Sequence, residues 1–218
     1  MTRLLHISTS PRGEASASLR IADAYVSAYS EAHPDHAVDT WDLWDGSLPA
    51  FGPSAAGAKM TVFGGGTPQG AQAGAWRAAR SVFERFDAAD QLLFSVPMWN
   101  AGVPYVLKQF IDIVSQPGWI FSVDPYTGYE GLLAGRGKTA TVIYTSAVWG
   151  PQLGPEFGHD FQSTFFNDWL RWTGITDITT IRHHPTLTGD IQTSLDRAVE
   201  EAQALGRTAS PPHAIQVA

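Results

Sequence analysis

The chain has 218 residues, 44% of them hydrophobic and 16% charged, with a formal net charge of -7 and no cysteine. That length suits one well-buried domain, and an acidic chain without clustered Lys and Arg is not built to hold nucleic acid. The missing cysteines exclude disulfides, thiolate zinc sites and cysteine nucleophiles, and no apolar run reaches the roughly 18 residues that read as a membrane span. The N-terminus, without a secretory h-region, makes a cytoplasmic location the expectation.

Leu4 to Ser8 reads as a short buried strand. The polar turn from Thr9 to Ser18 then feeds a helix striped by Ala22, Tyr25, Val26 and Tyr29 and stopped at His33-Pro34. Ala37 to Leu43 alternates as a second strand. From Asp45 to Gly74 the composition turns to Gly, Pro, Ala and Ser, nothing periodic survives, and a long surface excursion is expected. Trp76, Ala79, Phe83 and Phe86 share a face of the next helix. A buried strand, Gln91 to Val96, ends at Pro97; a Trp-Asn-Ala-Gly loop follows, and Val103, Val106, Leu107, Phe110, Ile111 and Val114 recur at helical spacing.

Between Gln116 and Gly135 the turn signals Pro117-Gly118, Asp124-Pro125 and Thr127-Gly128 allow a hairpin. Lys138 to Thr145 is a β-branched strand, followed by a Gly/Pro loop, Ser146 to Pro155. Phe157, Phe161, Phe165, Trp169 and Trp172 then sit three or four apart on a helix that Gly174 ends. This aromatic ladder suits core packing, or a helix whose second face meets a dimer partner. Asp177 to Arg182 is a fifth strand, and Ile191, Leu195, Ala198, Ala202 and Leu205 line a fifth helix. Five strands alternating with five helices predict an α/β fold with a doubly wound five-stranded parallel sheet flanked by helices. Residues 1–207 form a single domain in this reading, with 208–218 a frayed tail.

In such sheets ligands bind beyond the carboxyl ends of strands, which singles out three loops. In the first, Ser10, Ser16, Ala17 and Ser18 either hold a phosphate with the N-H groups opening a helix or are simply caps. Arg12 is a second phosphate contact or a solvated charge. In the second, Pro97, Met98, Trp99, Asn100 and Ala101 offer a flat aromatic, an amide and exposed backbone donors suited to a planar heteroaromatic ring, or a Trp covering the sheet end and an Asn cap. The third starts at Thr145. No G-x-G-x-x-G, P-loop or G-x-S-x-G occurs in its proper context, and no histidine pair has metal-ligand spacing, so no metal site is expected.

Taken together these segments resemble the FMN-dependent NAD(P)H azoreductases and quinone reductases, which have a flavodoxin-like fold. The resemblance rests on the spacing of Ser10, Ser16 and Ser18; on P-M-W-N at Pro97 to Asn100; on the run from Val106 to Phe121; on Tyr129-Glu130-Gly131-Leu132; and on Thr173 to Asp177. It implies a homodimer with one FMN per subunit. Ser10, Ser16 and Ser18 (with Ala17 between the last two) would bind the phosphate, and Pro97 to Ala101 would line the isoalloxazine. Thr145, Ser146, Ala147, Val148 and Trp149 would close the other edge. Gly118, Trp119 and Phe121 would shape the substrate pocket. It also implies ping-pong hydride transfer from NADH or NADPH to quinones or related aromatic, including azo, acceptors, the flavin carrying the chemistry and no side chain acting as catalyst. A flavodoxin-like electron carrier or a flavin-binding regulatory module is the alternative. The family's Ser-Arg-Gly-Gly is here Ser146-Ala147-Val148-Trp149-Gly150, and Trp99 stands in place of Tyr.

Overall fold

A computed structural model describes residues 1–209. In chain order the elements are β1 (Arg3–Ser8), α1 (Ala17–Ala32), β2 (Ala37–Asp42), α2 (Pro53–Phe63), α3 (Gly70–Asp87), β3 (Gln91–Pro97), α4 (Tyr105–Val114), β4 (Phe121–Asp124) and β5 (Gly128–Gly131), followed by β6 (Thr139–Thr145), α5 (Phe161–Thr173), β7 (Asp177–His183) and α6 (Ile191–Thr208). Five strands make one sheet in the order β2-β1-β3-β6-β7, every neighbouring pair parallel. This is the expected flavodoxin-like arrangement. β4 and β5 form the separate antiparallel hairpin that the turn signals allowed.

The central strands are apolar on both faces because helices cover both. One face carries Leu5, Ile7, Leu92, Phe94, Val96, Val142 and Tyr144 against Phe83 and Phe86 of α3, Phe110 of α4, and Phe166 and Trp169 of α5. The other carries Leu4, Leu93, Ile143 and Ile181 against Ile21 and Tyr25 of α1 and Leu195, Ala198 and Ala202 of α6. Helices α1 and α6 touch closely: a Cβ at Gly206 would lie 2.5 Å from Tyr25 O, so α6 needs a glycine there. The chain winds outward from β1 to β2, then crosses to β3 on the other side of β1. The switch point therefore lies between the ends of β1 and β3.

Four expectations change. The segment 45–74 is not free of structure, because α2 occupies Pro53–Phe63 within it. Phe157 belongs to a short 3-10 turn and not to the aromatic helix. On that helix Phe161 and Phe165 are exposed, and Phe166, Trp169 and Leu170 carry the core contact. Thr208, expected in the frayed tail, is the last residue of α6; the tail from residue 210 onward lies outside the described residues. Among the described residues no helix is long and apolar enough to cross a membrane, and no cluster of His, Asp or Glu could hold a metal ion.

Candidate functional site

Three loops leave the carboxyl ends of β1, β3 and β6 on the same edge of the sheet, and a segment after β7 joins them. They enclose a cleft of about 120 Å³ lined by Ser10, Arg12, Ser16 and Ala17; by Pro97, Met98 and Trp99; by Thr145, Ser146 and Ala147; and by Thr186. Most of the sequence-expected cofactor residues thus converge on one place.

The first loop turns tightly through Gly13, with φ of 51°, and a short 3-10 turn before Ser16 caps α1. Ser16 Oγ accepts the Leu19 N-H at 3.4 Å and lies 3.1 Å from Ser18 Oγ, while Ser16 O accepts the Arg20 N-H. The N-H groups of Ala17 and Ser18, at the helix start, have no intrahelical acceptor. Ser10, Ser16 and Ser18 are all buried, so their hydroxyls are held in place rather than waving in solvent. Two free amides, buried hydroxyls and the positive end of a 16-residue helix form a seat for an anion. Arg12 is exposed at the rim.

The second loop is a two-residue hairpin. Trp99 N-H donates to Gly102 O and Gly102 N-H to Trp99 O, both at 2.9 Å, with Asn100 and Ala101 at φ of 49° and 67°. Positive φ at both central positions is the pattern of a type I′ turn, comfortable for Asn and strained for Ala. Trp99 stands half in solvent, its ring 5.6 Å from Trp44 and 6.2 Å from Tyr105. Trp44 in turn donates its indole N-H to Thr9 O at 3.0 Å, tying the first loop to the second. Trp44 and Thr186 were not anticipated. Nothing in their spacing marks them, since each reaches the site only through the fold.

Ser146 and Thr145 are buried at the end of β6, whereas Ala147 and Val148 are exposed. Ser146 Oγ donates to Trp149 O, and Ser146 O and Ala147 O accept N-H groups from Thr186 and Leu187. The Trp149 ring leans on His184 at 5.1 Å. Burial and then the neighbouring Arg182 charge hold His184 below the ordinary histidine value.

Ser18, Asn100, Ala101, Val148 and Trp149 adjoin the lining residues without lining the cleft themselves, Ser18 being fully buried behind Ser16. Gly118, Trp119 and Phe121 are not brought to it either. Trp119 packs on Trp76 and Phe83, Phe121 on Trp172 and Tyr129, and Gly118 is exposed.

A larger groove, about 510 Å³, opens at the opposite end of the sheet, where Gln91, Lys138, Thr141 and Asp177 sit near the strand starts. It is the poorer seat for a phosphate. The carboxyl end of α6 and Asp177 bring negative character, and Lys138 Nζ is already bonded to the carbonyls of Asp87 and Ala89.

The flavodoxin-like fold model matches residues 2–205. An FMN-dependent NADH:quinone oxidoreductase of Ruegeria pomeroyi is 47% identical over 91% of this chain and 97% of its own length. One from Nitratidesulfovibrio vulgaris is 40% identical over 96% and 99%. Among solved structures, an azoreductase from Bacillus anthracis superposes with a TM-score of 0.85 at 23% identity, covering 95% of this chain and 99% of that one, which speaks to the fold alone. Matched by that model over nearly its whole length and by such relatives over more than nine-tenths of it, the chain belongs to the flavodoxin-like family that includes the FMN-dependent NADH:quinone oxidoreductases.

Proposed function

We propose that this protein is an FMN-dependent oxidoreductase that passes hydride from NADH or NADPH to quinones or related electrophilic aromatic compounds, azo compounds among them, the two substrates using one site in turn. The observation that carries the reading is the convergence of the buried serine seat, the Met98-Trp99 hairpin and the Ser146 loop on a single cleft at the switch point.

The residues present fit the cofactor. Ser10, Ser16, Ser18 and the first amides of α1 would take the phosphate dianion, Arg12 adding charge at the rim. Met98, Trp99, Asn100 and Ala101 would stand on one side of the ring, and Thr145 to Trp149 on the other. When bound, FMN supplies the hydride-accepting and hydride-donating chemistry; the chain binds, orients and shields it. An enclosed volume of 120 Å³ is below the roughly 300–1,000 Å³ of sites that bury a drug-sized ligand, so this chain alone covers only part of such a ligand. That supports a homodimer whose second subunit completes the site, as do Phe157, Phe161 and Phe165, exposed along and just before α5. In the same reading Gly118, exposed beside the packed Trp119 and Phe121, is the edge through which that segment meets the acceptor. The chain through the end of α6 at Thr208 acts as one cofactor-binding domain in the cytoplasm.

The test is reconstitution with FMN followed by anaerobic stopped-flow mixing with NADH, NADPH and then a quinone. Bleaching by a nucleotide and recovery on quinone addition support the enzyme. A flavin that binds but is bleached by neither nucleotide points to an electron carrier or a regulatory module. A colourless protein that takes up no FMN contradicts both.

A further inference from the structure

The first turn of α5 carries a buried amide, Gln162, in contact with both walls of the cleft. Its side-chain NH2 donates to Val96 O at 2.7 Å and to Thr145 O at 3.4 Å, and the residue is 1% exposed. Val96 and Thr145 lie at the ends of β3 and β6, so the two acceptors belong to different walls. Thr145 O also receives the Met98 N-H at 2.7 Å, which joins the walls a second time at the same carbonyl. One residue before Gln162, the Phe161 N-H donates to Ala101 O at 3.1 Å and so holds the left-handed hairpin.

This turn is itself anchored from β7. Asp160 caps α5 through the Ser163 N-H at 2.7 Å. Arg182 donates to Ser163 Oγ at 2.9 Å, reaches within 3.6 Å of the Asp160 carboxylate, and stacks 5.2 Å above the Tyr144 ring. A continuous set of polar contacts therefore runs from β7 through the start of α5 to both walls. A core position on a helix ordinarily takes an aliphatic residue, and a buried amide is tolerated only where its donors are bonded. An aliphatic side chain or methionine at this position could not join the two carbonyls.

We propose that Gln162 is a positioning residue for the cofactor site: its carboxamide sets the separation of the Met98 and Ser146 walls and, with the Phe161 amide, fixes the Trp99 hairpin before any ligand arrives. Its functional consequence rests on the flavin reading; its geometry does not.

Gln162→Met keeps the length and volume without the donors, and Gln162→Glu sets oxygens against two carbonyls. Site-resolved amide hydrogen exchange of the FMN-free protein reads the strap directly at Met98 and Gly102, with Leu5 and Ile7 of β1 as internal references. In Gln162→Met, exchange at Met98 and Gly102 rises about tenfold, the size of one ordinary buried hydrogen bond. The rise is larger in Gln162→Glu, and Leu5 and Ile7 keep their wild-type rates. FMN then binds about tenfold more weakly by the same argument, and the visible band of the bound flavin shifts. Wild-type exchange at Met98 and Gly102, or an increase shared equally by Leu5 and Ile7, overturns the proposal. Should Gln162→Glu not fold, Gln162→Met carries the same test. If the wild type takes up no FMN while the local exchange still changes, the strap stands and the flavin reading falls.

Discussion

The wall that follows β3 and the wall that follows β6 face the same cleft, yet only the first is closed on itself by backbone hydrogen bonds at both ends. Trp99 and Gly102 exchange their N-H and C=O groups, Met98 is bonded to Thr145 O, and Ala101 to the Phe161 amide. The chain accepts positive φ at Asn100 and Ala101 to achieve this, a local strain of about 1–2 kcal/mol for an alanine. The second wall leaves Ala147 and Val148 exposed and is held through Ser146 Oγ and two backbone amides of a neighbouring loop. A pre-formed wall suits the constant partner, the cofactor. A looser one suits whatever acceptor arrives, and here the sequence departs most from the Ser-Arg-Gly-Gly pattern.

The largest expected effect strikes the anion seat that both walls flank. Ser18 has no exposed surface and sits 3.1 Å behind Ser16 Oγ, so Ser18→Asp puts a buried carboxylate beside the proposed phosphate seat. FMN affinity measured by fluorescence titration should fall at least about 100-fold, roughly 3 kcal/mol or more. Retained affinity would move the seat elsewhere.

Beneath the first wall lies an asymmetry of the same kind. Ser95 of β3 pairs in register with Ile143 of β6, and only Ser95 is bonded to a titratable group, His6, whose Nε2 is 2.7 Å from Ser95 Oγ. Burial pushes His6 down from 6.5 to about 4. Between those values the unfolded chain binds a proton that the folded chain refuses, so stability falls as pH drops through that window and levels off below it. Urea unfolding from pH 7 to pH 4 should show a loss of up to about 3 kcal/mol from this group. In His6→Asn that part of the pH dependence should vanish; an unchanged profile would assign the acid sensitivity elsewhere.

Smaller effects separate the walls themselves. Asn100→Ala puts a second alanine at positive φ and should cost about 1 kcal/mol in urea unfolding, with FMN binding weaker by about fivefold. Unchanged binding would remove Asn100 from the site. Trp149→Gly, on the looser wall, should alter the KM for quinone by about threefold, well under 1 kcal/mol, and weaken FMN binding less than Asn100→Ala does. If the order reversed, with Trp149 controlling the flavin and Asn100 the acceptor, the division of labour would be wrong.

The parallel, doubly wound sheet was legible because β1 and β3 are largely apolar, β6 is strongly β-branched, and the stripes on α1, α3, α4 and α6 keep a helical period. The hydroxyl loop and the Pro97–Ala101 turn were legible because strand ends at a switch point have a fixed use. α2 was not, because its sequence P-S-A-A-G-A-K-M-T-V-F has no polar face to give it a period. What places α2 is tertiary: Lys59 Nζ donates to Ser115 O at 3.1 Å, and Gly57 leaves room for Gln72. On α5 the ladder of Phe and Trp was borne out at Trp169 and Trp172, which pack on the core, but not at Phe161 and Phe165, which face out while Gln162 and Ser163 face in. A buried amide on an aromatic helix carries no local signal; its purpose exists only once β3 and β6 lie side by side.

The most direct test of the cleft as a flavin site is a crystal structure of the protein saturated with FMN. Phosphate density is expected between Ser10, Ser16, Ser18 and the first amides of α1, with the ring between Met98–Ala101 and Thr145–Trp149. Flavin density in the groove beside Lys138 and Asp177, or none at saturating FMN, would contradict it.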